Sequence, residues 1–491
     1  MTWPEPPTVF EVNTAVWLGE VSRRVGHRVT LGEVPRGEWD ALVRPGVNVV
    51  WLMGVWQRSE AGRAIALLDD GLRRSWSTSL PGWADSDVVG SPYCIRDYVP
   101  DALVGTWADL KHARGQLRAR GARLMLDWVP NHMAPDSPWL EREPAAFIHG
   151  TPADLTADDK AYVAVGTGVF ARGKDPYFAP WPDVVQVNAF APQLRELAAR
   201  TLTRIAEHAD AVRCDMAMLM LDDVVRATWG DRAGQPLPTQ YWTDVIARVH
   251  ERNPDFRFVA EAYWDREWDL QQLGFAYCYD KRLYDRMRGG DPGAVRGHLG
   301  APLDYQARLV RFLENHDEPR AATTFLPAGY ERVAAVAIAT LPGMTLWHQG
   351  QAEGRQVFCP VFLGRRPDEV PDADLAAFHH QLWALAARVR VGQWSLRPVH
   401  GWPDNPSADR LAAWTWTDGD RLSLVVVNLS EARADGMVDV GHGAAAGRRV
   451  RLTDLLDGTT YERDGDDLAG GGLYVARDGW GAHVLTLDAS G

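Results

Sequence analysis

One pattern constrains this chain more than any other: eight short apolar runs, rich in β-branched and aromatic residues, alternate with longer stretches of helical spacing. The runs are 9–16 (VFEVNTAV), 47–52 (VNVVWL), 122–129 (ARLMLDWV), 211–216 (AVRCDM), 256–260 (FRFVA), 275–279 (FAYCY), 309–313 (LVRFL) and 344–348 (MTLWH). Their hydrophobicity is continuous rather than alternating, as strands buried on both faces require. Helical spacing fills 107–120, 192–208, 241–252 and 330–339; Thr106 opens the first as an N-cap and Gly121 closes it. Strands alternating with helices predict an α/β fold with a parallel sheet, and eight of them close into a (β/α)8 TIM barrel. A doubly wound open sheet is the alternative, but no glycine-rich phosphate loop follows any run.

Two stretches depart from a minimal barrel. Residues 132–190 lack clean strand–helix alternation and are rich in Pro, Gly, Asp and Trp. That is too long for a structureless loop, so it predicts an inserted subdomain after the third strand, dividing the barrel into 1–131 and 191–391. Beyond 391 the period changes to short alternating strands at 411–415, 422–427, 449–452 and 482–487, separated by DGD, DGTT and GGG turns. This predicts a C-terminal antiparallel β-sandwich over 392–491, with the AAAG and DGDD tracts as hairpin loops.

Composition narrows the partners. Of 491 residues, 46% are hydrophobic and 24% charged, which excludes a disordered or fibrous chain. A net charge of −13 argues against a nucleic acid or an anionic membrane as partner. No apolar run approaches the ~18 residues of a membrane span. The opening MTWPEPPTVFEVN has neither the basic nor the apolar region of a signal peptide. Cys94, Cys214, Cys278 and Cys359 are widely spaced and form no CxxC pair, which fits a reducing, cytoplasmic setting. Tryptophan (22) outnumbers Tyr (13) and Phe (13). Trp56, Trp128 and Trp181 are candidates for a sugar-stacking rim, with packing inside the fold as the favoured alternative.

In a barrel the chemistry sits at the C-terminal ends of the strands, so polar residues just beyond each run are informative. The third run leads into Asp127-Trp-Val-Pro-Asn131-His132, the fourth carries Arg213-Cys-Asp215, the fifth ends at Glu261, and the seventh leads into Asn315-His316-Asp317. Taken singly, each acid reads as a helix cap and each histidine as structural. Together, three carboxylates converging on one barrel mouth repel each other and persist only where function or a neutralising cation holds them. Three carboxylates, one arginine and two histidines, with no nucleophilic Ser or Cys elbow, suit glycosidic cleavage through a nucleophile and a proton donor. Arg213 and Asp215, two apart on a strand, share a face, so the guanidinium can hold the carboxylate ionised.

Over nearly its whole length the chain resembles the alpha-amylase family of glycoside hydrolases. Four signature segments occur in order: DWVPNH (127–132), AVRCDMAM (211–218), FVAEAYW (258–264) and FLENHD (312–317). The resemblance implies that Asp215 is the nucleophile, Glu261 the general acid/base and Asp317 the third, transition-state-stabilising acid. It implies sugar-binding roles for Arg213, His132 and His316, a structural role for Asp127, and stacking of Tyr93, from GSPYCIRDY (90–98), on the sugar. The insertion resembles the family's domain B, and the tail its C-terminal β-domain.

The departures bear on substrate. Many exo-acting glucosidases of the family have Asp directly after that Tyr, where this chain has Cys94, and the short motif QPDLN or MPKLN stands here as VVQVN (184–188). Asn131 matches a position that often serves calcium in true amylases, but the insertion offers no Asp-rich partner segment, so the expectation is no cofactor, with calcium near Asn131 as the alternative. No β-domain precedes the barrel in this sequence, which argues against branching or debranching enzymes. The expected function is a retaining glycoside hydrolase of α-glucosidic bonds in α-glucans, maltooligosaccharides or small α-glucosides. A transglycosylase or glucoside isomerase of the same family is the alternative. A metal-dependent barrel hydrolase is disfavoured because the first run lacks His-x-His and Arg213 would repel a cation. A non-catalytic sugar-binding relative is disfavoured because all three acids are present.

Overall fold

Eight parallel strands close into a barrel: β1 (Thr8–Asn13), β2 (Val49–Met53), β3 (Arg123–Trp128), β4 (Ala211–Cys214), β5 (Arg257–Ala260), β6 (Tyr277–Tyr279), β7 (Leu309–Arg311) and β8 (Met344–His348). Each pairs with its neighbours in sequence, and β1 closes the ring on β8 with Val9 opposite Leu346. The computed structural model of the chain describes residues 2–441 and 447–489. Almost every barrel-strand residue is buried, as continuous apolar runs demand when side chains fill the barrel on one face and helices cover the other.

Several runs end sooner than their hydrophobicity suggests, the first and the fourth among them. The first stops being a strand at Asn13, whose side chain accepts a hydrogen bond from the Val16 amide and caps helix α1 (Thr14–Val25). Residues 14–18 are therefore the buried first turn of a helix, and apolar continuity alone does not separate that from a buried strand. The fourth ends at Cys214, because Met216 adopts left-handed backbone (φ 42°). Helix α2 (Trp107–Arg118) opens with a reciprocal Thr106–Asp109 capping box, and Gly121 follows it at φ 80°.

Between β3 and helix α3 (Pro192–Ala206) lies a region tied together by pairing of His132–Met133 with Val185–Gln186 and a hairpin of Tyr162–Val165 with Gly168–Ala171. After β8 and the long helix α4 (Ala373–Val389) come β9 (Gln393–Arg397), β10 (Val399–His400), β11 (Leu411–Asp418), β12 (Arg421–Asn428), β13 (Ala434–Val438), β14 (Arg449–Asp454), β15 (Thr460–Asp464), β16 (Leu473–Arg477) and β17 (Ala482–Ala489). They form an antiparallel six-stranded sheet, ordered β9-β11-β12-β17-β14-β15, and a three-stranded sheet, β10-β13-β16. Alternation along β12 places Leu424 and Val426 in the sandwich core and Val425 and Val427 in the cluster continuous with the barrel. The DGDD tract is not a hairpin loop: Asp464 caps a short helix, Gly465–Gly471. The alanines of the AAAG tract lie outside the described residues.

Two of the three rim tryptophans are core. Trp56 and Trp128 are fully buried; Trp56 Nε1 donates to the Asp127 carbonyl at 2.7 Å, and Trp128 stacks on Tyr98 with ring centroids 4.5 Å apart. Trp181 alone reaches the cleft described next.

Candidate active site

The site is built around a fully buried arginine. Arg213 points inward from β4, where it pairs with Asp127 on β3 and Val259 on β5. Its guanidinium is flanked by the rings of Trp51, Tyr93 and Tyr279, with centroids 5.3–5.7 Å away. One arm donates to Asp215 Oδ1 at 2.6 Å; the other lies 2.8 Å from Glu261 Oε2 and 3.9 Å from Asp317 Oδ2. The structure thus brings the acids at the ends of β4 and β5, and the one beyond β7, onto a single cation.

Each acid has a different environment. Glu261 is buried; its Oε2 accepts from the Met216 amide at 2.6 Å and its Oε1 from the Tyr263 hydroxyl at 2.9 Å. Burial, with Asp215 and Asp317 nearby, raises the Glu261 pKa to about 7 despite the opposing pull of Arg213. Asp317 is 47% exposed at the cleft. Burial of its other side works to raise its pKa, but His316 and Arg213 bring it below the ordinary carboxylate value. Two acids of similar chemistry therefore differ in protonation at neutral pH, as acid/base chemistry requires.

His316 stands behind Asp317. Its Nε2 lies 2.9 Å from Asp317 Oδ2 and 2.7 Å from the Tyr93 hydroxyl, and its Nδ1 lies 2.5 Å from Glu11 Oε1. Burial opposes the charge on His316, but the two carboxylates raise its pKa to about 10, so it is an imidazolium at neutral pH. Both ring nitrogens have protein partners, so the structure places His316 as a support for Asp317 and Tyr93. Tyr93 stacks on it at 5.3 Å. Asp127 also sits one layer back, accepting from Trp51 Nε1 at 3.1 Å and the Gly54 amide at 2.7 Å; burial raises its pKa to about 6. Gly54 makes that bond from φ 78°, and a Cβ there would lie 2.7 Å from Pro92 Cβ.

In front of these groups is a cleft of about 390 Å³ lined by Tyr93, Asp215, Glu261, Asp317 and His132, together with Trp181 and Asp183 from the inserted region. Burial lowers the His132 pKa, leaving the imidazole neutral, and its Nε2 lies 3.2 Å from the Tyr93 carbonyl. Of the residues singled out from sequence, Asp215, Glu261, Asp317, Tyr93 and His132 line the cleft, while Arg213, His316 and Asp127 lie behind it. Three contributors were not singled out: Glu11, Tyr263 and Asp183. Glu11 had a signal, being the one charged residue inside the first apolar run. Asp183 had none, because tertiary pairing of the insertion brings it in.

The Asn131 side-chain oxygen accepts from Gln186 Nε2 at 2.8 Å within a buried amide pair. Among the described residues no group of three or more His, Cys, Asp or Glu side chains is placed to hold a metal.

No family model matches the sequence. The curated alpha-amylase MalA of Haloarcula japonica is 24% identical over 445 residues, 87% of this chain and 56% of that protein. An alpha-1,4-glucan:maltose-1-phosphate maltosyltransferase of Streptomyces coelicolor is 25% identical over 246 residues, 49% of this chain and 30% of that protein. The chain thus spans about half the length of the first of these relatives and less of the second. Among solved structures, a maltogenic alpha-amylase from Thermotoga neapolitana superposes with a TM-score of 0.69 at 18% identity, covering 98% of both chains. An alpha-amylase from Geobacillus thermoleovorans, complexed with acarbose, superposes with 0.68 at 16% identity, covering 99% of both. At these identities the likeness is one of fold.

Proposed function

We propose that this chain, a member of the alpha-amylase family, cleaves α-glucosidic bonds of α-glucans, maltooligosaccharides or small α-glucosides by double displacement. The observation that carries the reading is Arg213 binding Asp215 and Glu261 on two arms of one guanidinium, with Asp317 beside them at the cleft. Asp215 attacks the anomeric carbon and forms a glycosyl ester. Glu261 gives its proton to the departing glycosidic oxygen, then takes one from the water that opens the ester. Asp317, kept anionic by His316, stabilises the positive charge that develops on the sugar ring. Tyr93 and His132 line the sugar's side of the cleft.

The curated relatives support both outcomes of the second step: one is called an amylase, which implies water as acceptor, and the other a maltosyltransferase, which implies a sugar. Among the described residues no helix is long and apolar enough to cross a membrane. The four cysteines are free thiols, which supports a reducing, cytoplasmic setting.

The test is a panel of maltose, maltooligosaccharides, isomaltose, trehalose, sucrose and maltose 1-phosphate, with NMR of the first-formed product. Double displacement predicts an α-anomer before mutarotation; a β-anomer, or no cleavage across the panel, contradicts the proposal.

The electrostatics add a pH dependence. Glu261 is competent while protonated, so kcat/KM is expected to fall as pH rises through about 7. Glu261→Gln should erase that alkaline limb on α-glucosyl fluoride, whose leaving group needs no proton. A limb of unchanged position in the variant assigns it to another group.

A further inference from the structure

We propose that the cavity beneath the N-terminal face of the barrel, ringed by Arg114, Arg118, Arg123 and Arg252, binds a phosphate dianion, free or as the monoester of a small sugar. The cavity stands apart from the cleft that holds the three acids. Arg123 opens β3, Asp210 directly precedes β4 and Phe256 directly precedes β5, whereas Asp215 and Glu261 follow β4 and β5 at the other end of the barrel.

Its volume is about 310 Å³, and the end of α2, the first residue of β3, the residue before β4 and the loop before β5 all contribute to its wall. Four arginines there face two aspartates, Asp210 and Asp255, in a chain whose net charge is −13. Cations concentrated against the sign of the whole molecule repel one another and call for an anion. Asp210 supplies only part of it. Its Oδ1 accepts from Arg114 Nε at 3.2 Å, Arg114 Nη2 at 2.7 Å and Arg118 Nη2 at 2.7 Å, and its Oδ2 from the Leu124 amide at 3.0 Å. Burial works to raise the Asp210 pKa, but these bonds bring it below the ordinary carboxylate value, so the carboxylate is ionised and already engaged. Arg114 also donates to the Glu207 carbonyl at 2.8 Å, and Arg123 to the Thr2 carbonyl. Arg118 has Nε and Nη1 left over, and among the described residues Arg252 has no side-chain hydrogen bond or ion pair.

A phosphate dianion carries the two charges by which arginine exceeds aspartate here, and guanidinium forks bind its oxygens in pairs. A volume of about 310 Å³ lies at the lower end of the range for small-molecule sites, which leaves room for a sugar ring beside the phosphate. Trp3 and Phe256 give the cavity an apolar wall and Asn253 an amide, a lining suited to a pyranose. A ligand that bonds Arg118 and Arg252 at once ties α2 to the loop before β5, so occupancy stabilises this end of the barrel and leaves the acids untouched.

The test is calorimetric titration of the full chain with inorganic phosphate and with glucose 6-phosphate, the ionic strength held constant with potassium chloride. One saturable site is expected for the phosphate probes, and unphosphorylated glucose should not displace them. Tighter binding of glucose 6-phosphate assigns the site to a sugar phosphate; equal or weaker binding assigns it to inorganic phosphate. Arg252→Glu should weaken binding by about tenfold or more, the scale of one lost charge-assisted hydrogen bond. The Arg252 side chain is exposed, so this variant keeps its fold. Asp255→Asn removes an anion from the exposed rim and should tighten binding by a smaller factor. No saturable binding of either probe, displacement by glucose, or an affinity that neither variant changes overturns the proposal.

Discussion

Asp215→Asn is expected to reduce kcat by roughly three or more orders of magnitude while the substrate still binds. The amide has nearly the shape of the carboxylate and can still meet Arg213, which holds Asp215 Oδ1 at 2.6 Å, but it forms no stable glycosyl ester. Binding should survive because Tyr93, His132, Trp181 and Asp183 line the cleft independently of that charge. The signature is a collapse of kcat with KM changed by a small factor. Titrating inactive Asp215→Asn with a maltooligosaccharide, by calorimetry or fluorescence, checks the second half of the statement. Robust turnover by the variant would mean that another group attacks the anomeric carbon.

Arg213→Met should abolish activity and also destabilise the fold, by about 3–5 kcal/mol at alkaline pH, the range for removing one partner of a buried ion pair. Arg213 is fully buried and bonds or adjoins two acids, so its loss leaves Asp215 and Glu261 facing each other without a cation. Methionine retains the apolar stem and the contacts with Trp51, Tyr93 and Tyr279, so the missing charge accounts for most of the effect. The sign with pH follows from the carboxyls. Without the guanidinium, burial and the neighbouring acids, which already hold Glu261 at about 7, act unopposed and raise its pKa further above the unfolded value of about 4. The folded variant then takes up a proton at Glu261 at higher pH than the wild type, so its deficit is full above that raised pKa and shrinks as pH falls through it toward about 7. Thermal melts of wild type and variant between pH 7 and 10 should therefore draw closer as pH falls. A constant gap would indicate lost packing rather than unpaired charge.

How much of this was legible before the structure depends on which residues are local and which are assembled. The barrel could be read because each strand is buried on two faces, leaving a continuous apolar run that polar loops interrupt. The same criterion failed at residues 14–16, where a buried helical turn is as apolar as the strand it follows. Asp215, Glu261 and Asp317 stand just beyond strands, where a barrel places its chemistry, so their convergence followed from the fold. Glu11 escaped because it lies within a strand rather than beyond one. It reaches the site only through His316, three hundred residues away in sequence. The cleft wall formed by Trp181 and Asp183 depends on a two-residue pairing, His132–Met133 with Val185–Gln186, too short to leave a pattern. For Trp56 and Trp128 the favoured reading, packing inside the fold rather than sugar contact, holds: both rings are barrel packing.

The claim on which the rest depends is that Asp215 forms the covalent bond. Incubation with a fluorinated α-glucosyl fluoride, whose ring fluorine slows opening of the ester, followed by proteolysis and mass spectrometry, tests it directly. The account predicts one added fluoroglucosyl unit per chain, on the peptide carrying Asp215, and none on Asp215→Asn. A label on a peptide carrying Glu261 or Asp317 instead, or labelling of Asp215→Asn, would contradict it.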